Sequence, residues 1–326
     1  MQTRRLGKTG YEISEVGVGA WAVGGSWGAT NDDESMAAMH AAVDAGVTFF
    51  DTADVYGDGH SEKLIARLLR ERDETVVVAT KFGRRAPQEL ESYTYGNLRG
   101  WLERSLENLG VETVDLVQLH CPPTDAYYEP GLFAACDRLV QEGLVRHYGV
   151  SVQKVEEALK AIEYPGVATV QIIFNVLRQR PAELFFREAQ TRDIGVIVRV
   201  PLASGLLTGK LRRDTEFAAD DHRLFNRHGE SFDVGETFAG LDYETGLDVV
   251  EELRPLVPDG ATMAQLALRW ILDNDAVSTV IPGAKTVEQA RANAAASDLP
   301  PLPGETRRRI DDLYGDRVAP LVHHRW

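Results

Sequence analysis

Along the chain, short runs of β-branched and aromatic residues alternate with longer stretches whose apolar positions recur three and four residues apart. The first pattern suits a buried strand, and the second draws one apolar stripe along a helix. On this reading strands are predicted at 15–21, 47–53, 75–83, 113–120, 145–151, 166–175, 194–203 and 277–284. Helices are predicted at 32–46, 61–72, 97–110, 131–143, 154–163, 181–193, 245–257, 262–275 and 286–297, the first of them stopped by Gly46. The segment before residue 15 reads as a β-hairpin leading into the first strand.

Strand–helix units of roughly 30 residues, eight times over, predict an α/β fold: a (β/α)8 TIM barrel with an N-terminal β-hairpin, one domain over 1–326. The competitor is an open doubly wound sheet, which needs a GxGxxG turn after its first strand. "GVGAWAVGGSWG" (17–28) has glycines without that spacing, and the helix after it opens on "NDDES", whose acids repel phosphate. Two connections are too long for plain linkers, 84–97 and 204–244. Loops that follow barrel strands form the functional face, so both are expected to wall a pocket. Phe225, Phe232 and Phe238 are the expected apolar anchors of the second loop. The tail 312–326 reads as irregular, and its last residue, Trp326, is a further candidate for the pocket wall.

Hydrophobic residues make up 44% of the 326, enough for a sizeable core, and the net charge of −15 argues against nucleic acid or an anionic membrane as the main partner. Two cysteines, Cys121 and Cys136, exclude a disulfide framework and any cysteine-rich metal site. They fit a reducing compartment, and with no apolar run long enough to span a bilayer the expectation is a cytoplasmic protein. In the long loop, Asp220, Asp221, His222 and His228 lack the spacing of a metal site, so no metal is expected.

Candidate chemistry sits at the ends of consecutive strands. The second ends in Asp51 with Tyr56 in its loop, the third in Lys81 and the fourth in His120. A buried lysine needs a counter-ion, and Asp51 is the neighbour that supplies one. The ammonium is then expected to lower the pKa of Tyr56 and make it a general acid, with His120 hydrogen-bonding a substrate oxygen. Taken singly, Asp51 is as well explained as a turn cap, Tyr56 as a packed aromatic, Lys81 as a plain ion pair and His120 as a satisfied turn residue. Together they form a proton donor, a tuner and a polariser, a set suited to reducing a carbonyl by hydride.

These residues lie in motifs that resemble the aldo-keto reductases: "FFDTADVYGDGHSE", "VVVATKFG", "DLVQLHCPP", "YGVS", "VQIIFNVL", "VPLASGLLTGK" and "IPGAKTVEQARANAAA", in family order and over nearly the whole chain. The resemblance implies that Asp51, Tyr56, Lys81 and His120 are the catalytic tetrad, with Tyr56 as proton donor. It implies NADPH as cofactor, with NADH as the alternative. Gly19, Ala20 and Trp21 are implied near the nicotinamide ribose, and Ser151 and Gln171 at the carboxamide. Leu202, Ser204, Gly205 and Lys210 are implied near the pyrophosphate, and Gly283, Lys285, Gln289 and Asn293 near the adenosine 2′-phosphate and adenine. Trp21, Tyr56 and His120 are implied to line the substrate pocket.

The chain departs from the family pattern in places. Val152 follows the carboxamide serine where many members have Asn, and Arg199 and Val200, ahead of Pro201, replace a stacking Tyr and a small polar residue. Arg199 to Leu202 still count as cofactor-binding positions. Gln289 stands where many members have Arg, which leaves Lys285 as the clear charge at the 2′-phosphate.

The implied function is an NADPH-dependent reductase of aldehydes or ketones, run backward as an alcohol dehydrogenase. Its partner would be a small carbonyl or alcohol; self-association stays open. Two other functions compete. One is a cofactor-sensing regulatory subunit with slow or no turnover, and the other a Schiff-base lyase working through Lys81. A lysine beside Asp51 and Tyr56 stays protonated and is a poor amine nucleophile, which disfavours the lyase.

Overall fold

The protein is described from a computed structural model covering residues 1–24 and 31–326. The glycine-rich stretch weighed above against a dinucleotide fingerprint therefore lies partly outside the described residues.

Chain entry is a two-stranded antiparallel hairpin, β1 (Thr3–Arg5) and β2 (Glu12–Ser14), as its sequence predicts. Eight strands then form one parallel sheet in sequential order: β3 (Val18–Gly19), β4 (Phe49–Asp51), β5 (Val77–Phe82), β6 (Val114–His120), β7 (Val145–Ser151), β8 (Val167–Ile173), β9 (Gly195–Arg199) and β10 (Thr279–Val280). A parallel bridge between Val16 and Val280 joins the first strand to the last and closes the barrel. β3 and β10 are two residues each, much shorter than their apolar runs, because the closing seam is made by single bonds such as Gly17 N to Val280 O (2.8 Å).

Helices cover the outside: α1 (Asp32–Asp44), α2 (His60–Glu71), α3 (Tyr95–Leu109), α4 (Pro130–Gln141), α5 (Val155–Ala161), α6 (Phe185–Thr191), α7 (His222–Phe225), α8 (Tyr243–Leu253), α9 (Met263–Leu272), α10 (Val287–Ala294), α11 (Gly304–Leu313) and α12 (Ala319–Val322). Their starts are legible from capping chemistry. Asn31 accepts from the backbone of Asp33 and Glu34, and Thr262 with Gln265 forms a capping box. α6 is shorter than its predicted span because Pro181 diverts the chain through a 3-10 turn, Arg180–Ala182.

The tail departs from its prediction. It is helical, with α11 running through a π-turn, Tyr314–Val318, into α12. Trp326 is buried, but beneath the long loop rather than in the cavity. Its ring lies 4.1 Å from the Arg178 guanidinium, and its Nε1 donates to Asp233 (3.2 Å). Of the loop's expected anchors, Phe238 is fully buried, Phe232 packs edge-on against Trp21, and Phe225 is exposed.

Inside the barrel, strand alternation sorts side chains by height. An apolar layer (Phe49, Val77, Ala79, Leu116, Ile197 and Ile281) rests on Leu6 and Ile13 of the hairpin. Gly149 is required by a close approach, because a Cβ there would lie 2.0 Å from Thr169 Oγ1.

Candidate active site

Each inward position two residues further along a strand is one layer nearer the mouth. Val77 and Ala79 lead to Lys81, Leu116 and Gln118 to His120, and Ile197 to Arg199. Pairing sets Asp51 beside Ala79, Lys81 beside Gln118, His120 beside Ser151 and Ser151 beside Gln171. The strand ends therefore converge as a polar layer over the apolar one.

At its centre Lys81 Nζ donates to Asp51 Oδ1 (2.5 Å) and to the Thr52 carbonyl (2.8 Å). Gln171 and Gln118 donate to the other carboxylate oxygen, at 2.7 and 3.2 Å. Gln171, expected at a cofactor carboxamide, thus spends an amide hydrogen on Asp51. Burial acts to lower the Lys81 pKa, but Asp51 and the Tyr56 oxygen outweigh it, and the ammonium is held more firmly than usual.

Tyr56 is carried back over this layer by a tight loop. Gly57, Asp58 and Gly59 all have positive φ, and a Cβ on Gly57 would lie 2.9 Å from Gly24 O. Arg85 and Arg104 fix Asp58 at 2.6 and 2.7 Å. The Tyr56 ring sits 5.1 Å from Lys81 Nζ and edge-on to His120 at 5.8 Å. The expected lowering of its pKa does not hold. Burial raises it, and Lys81, the strongest opposing group, offsets only part of the rise. His120 is buried, with Nδ1 unpartnered among the described residues. Burial, Arg84, Lys81 and Arg199 push its pKa well below the ordinary value, so the ring is neutral.

Beside this group lies a second polar cluster that sequence reasoning missed in part. Glu236 Oε1, from the long loop, pairs with Arg84 (3.3 Å) and with Arg199 (3.4 Å). Arg199 also donates to the Val152 carbonyl (3.1 Å). Burial acts to raise the Glu236 pKa, but Arg199 and Arg84 outweigh it and hold the carboxylate ionised. Gln118 was within reach of the sequence, two residues from His120 on one strand. Arg84 sits on a loop and Glu236 ends a single 3-10 turn, Val234–Glu236, and no periodicity marks either.

A cavity of about 440 Å³ runs from these groups across the mouth. Gly19, Trp21, Asp51, Tyr56, His120, Ser151, Gln171, Arg199, Val200, Pro201 and Leu202 line one part. Ser204, Gly205, Lys210, Gly283, Lys285, Gln289 and Asn293 line the rest. Two expected residues do not line it. Lys81 lies below Asp51, and Ala20 is fully buried with its N–H on the Asp51 carbonyl (2.8 Å). The wall also includes Arg223 of α7, held by Asp221 (2.6 Å) and electrostatically coupled to Lys285, which puts a second cation at the end where Gln289 offers none. His222 is buried against Trp21, with ring centroids 4.8 Å apart. Among the described residues no His, Cys, Asp or Glu group is arranged for a metal, and no helix is long and apolar enough to cross a membrane.

The model of the Aldo/keto reductase family matches residues 15–315. A probable voltage-gated potassium channel subunit beta of Oryza sativa subsp. japonica is 30% identical over 93% of each chain. An aldo-keto reductase of Bacillus halodurans in its holo form superposes with a TM-score of 0.77, at 27% identity over 96% of both chains. An aldo/keto reductase of Klebsiella pneumoniae in complex with NADP and acetate superposes at 0.71, 25% identical over 97% of this chain and 98% of that one.

Proposed function

Because the chain belongs to the aldo/keto reductase family and is an NAD(P)H-dependent oxidoreductase, we propose that it interconverts an aldehyde or ketone and its alcohol with NADPH, using Tyr56 as proton donor. The observation that carries this reading is a single cavity with Tyr56 and His120 at one end and Lys285 and Arg223 at the other. The residues fit the cofactor. Trp21 offers a flat wall, Gly205 and Gly283 allow close backbone approach, and Lys210, Lys285 and Arg223 offer cations for phosphates. The Klebsiella relative's bound NADP supports NADPH over NADH.

When bound, NADPH supplies the hydride to the carbonyl carbon. Neutral His120 and the Tyr56 hydroxyl hold the carbonyl oxygen. Tyr56 gives that oxygen its proton, and the product is an alcohol. Lys81, itself fixed by Asp51, stabilises the phenolate that Tyr56 becomes. Fluorescence titration with NADPH and NADH, followed by a panel of aldehydes and ketones read at the nicotinamide absorbance, tests the reading. We expect tighter NADPH binding and turnover with at least one carbonyl. Replacement of Tyr56 by Phe should lower kcat by about 10²-fold or more while the NADPH Kd stays within about twofold; an undiminished rate removes Tyr56 from the role.

A second reading, a cofactor-sensing subunit with little turnover, draws on the likeness to the rice channel subunit. Cofactor oxidised in one stoichiometric burst, with no further turnover, would favour it.

A further inference from the structure

We propose that Arg199 makes the site read the redox state of its cofactor, favouring NADPH and disfavouring NADP+, whose nicotinamide ring carries a positive charge. The proposal rests on the reading above, in which NADPH delivers hydride to a carbonyl held by Tyr56 and His120.

That reading fixes the end of the cavity that the ring must occupy. Hydride passes only between atoms in near contact, so the ring must reach the carbonyl beside Tyr56. Arg199 lines the same cavity. Its guanidinium is tied at two points, Nη1 to Glu236 Oε1 (3.4 Å) and Nη2 to the Val152 carbonyl (3.1 Å). Burial disfavours its charge, but Glu236 leads the groups that outweigh this cost, and the cation is held.

The charges around it do not cancel. Lys81 pairs with Asp51 (2.5 Å), while Arg84 and Arg199 share the one carboxylate of Glu236, which leaves a cation in excess. Arg178, which Arg199 also opposes, has Asp233 as its own counter-charge. A neutral residue at 199 would leave two cations against two carboxylates.

An aromatic ring already in the site registers the excess. Arg84, Lys81 and Arg199 all act against a proton on the His120 imidazole. An oxidised nicotinamide is likewise a planar aromatic cation, and it meets the same repulsion. The reduced ring is neutral, and a guanidinium is attracted to the face of an uncharged ring. Reduction is therefore little inhibited by the NADP+ it produces.

Equilibrium titrations decide it, with NADPH, NADP+ and 2′-phospho-ADP-ribose, which keeps the phosphates and lacks the nicotinamide. The wild-type protein should bind NADPH about tenfold or more tighter than NADP+. In Arg199→Met, which keeps the length and removes the charge, that preference should shrink by about fivefold or more, chiefly through tighter NADP+, and Arg199→Lys should retain most of it. The Kd of the ring-free fragment should stay within about twofold in all three proteins. Equal wild-type binding of NADPH and NADP+ overturns the proposal. So does an unchanged preference in Arg199→Met, or a fragment Kd that moves with that of NADP+. Should the Met variant fail to fold, the two wild-type constants alone decide. Equal binding of the two states alongside carbonyl turnover overturns this proposal only, whereas binding of neither overturns the NADPH reading and the proposal with it.

Discussion

Tyr56 is set by two opposed forces. Burial holds the phenol protonated, and the Lys81 ammonium, anchored by Asp51, makes its ionised form less costly. The net shift is upward, so the proton-donor form persists through neutral pH and is lost only above the ordinary value of 10.0. With its pKa pushed well below 6.5, His120 stays neutral across this range. Reduction is therefore expected to hold a flat rate from pH 6 to 9. Alcohol oxidation needs the phenolate and should rise across the same range. In Lys81→Met the opposing cation is gone and the phenol shifts further up, so oxidation should fall by about 10²-fold or more at pH 9 and its rise should move to higher pH. A pH–rate profile matching the wild type would contradict the coupling.

At the scale of elements, strand ends were legible and loops were not. Asp51, Lys81 and His120 can be read from the chain because alternation along β4, β5 and β6 carries the last inward residue to the mouth. The closing strands β3 and β10 were overestimated, since an apolar run reports burial and not how many ladder bonds form. Arg84, Arg223 and Glu236 were missed because loops and single helical turns within the long connections place side chains through tertiary contacts. Trp326 is such a contact. It lies against Arg178 and bonds Asp233, and a Cβ on Gly240 would come within 2.3 Å of its ring, so it supports the turn that presents Glu236. Trp326→Ala should speed proteolytic cleavage within 204–244 and cost about 3–5 kcal/mol of stability, while Trp326→Phe should restore most of both. Equal cleavage in all three proteins would exclude a supporting role.

For the whole molecule, the buried acid Asp54 links stability to pH. Both its carboxylate oxygens are buried and unpartnered among the described residues. Burial, with Glu62 adding to it, raises the pKa from 3.8 to about 7. Between those values the folded chain holds a proton that the unfolded chain has released, so stability falls as pH rises through this window. At ~1.4 kcal/mol per unit the loss amounts to a few kcal/mol. Asp54→Asn mimics the protonated form, so its Tm should drop less than that of the wild type between pH 4.5 and pH 8. A parallel drop in both would show that Asp54 does not carry the effect.

The hairpin beneath the barrel has a bearing on traffic. Leu6 and Ile13 stop the lower end, beneath a layer of tightly buried apolar side chains. In the proposed reaction, Tyr56 faces the same cavity that the alcohol occupies, so emptying the site and recharging the phenol become successive uses of one space.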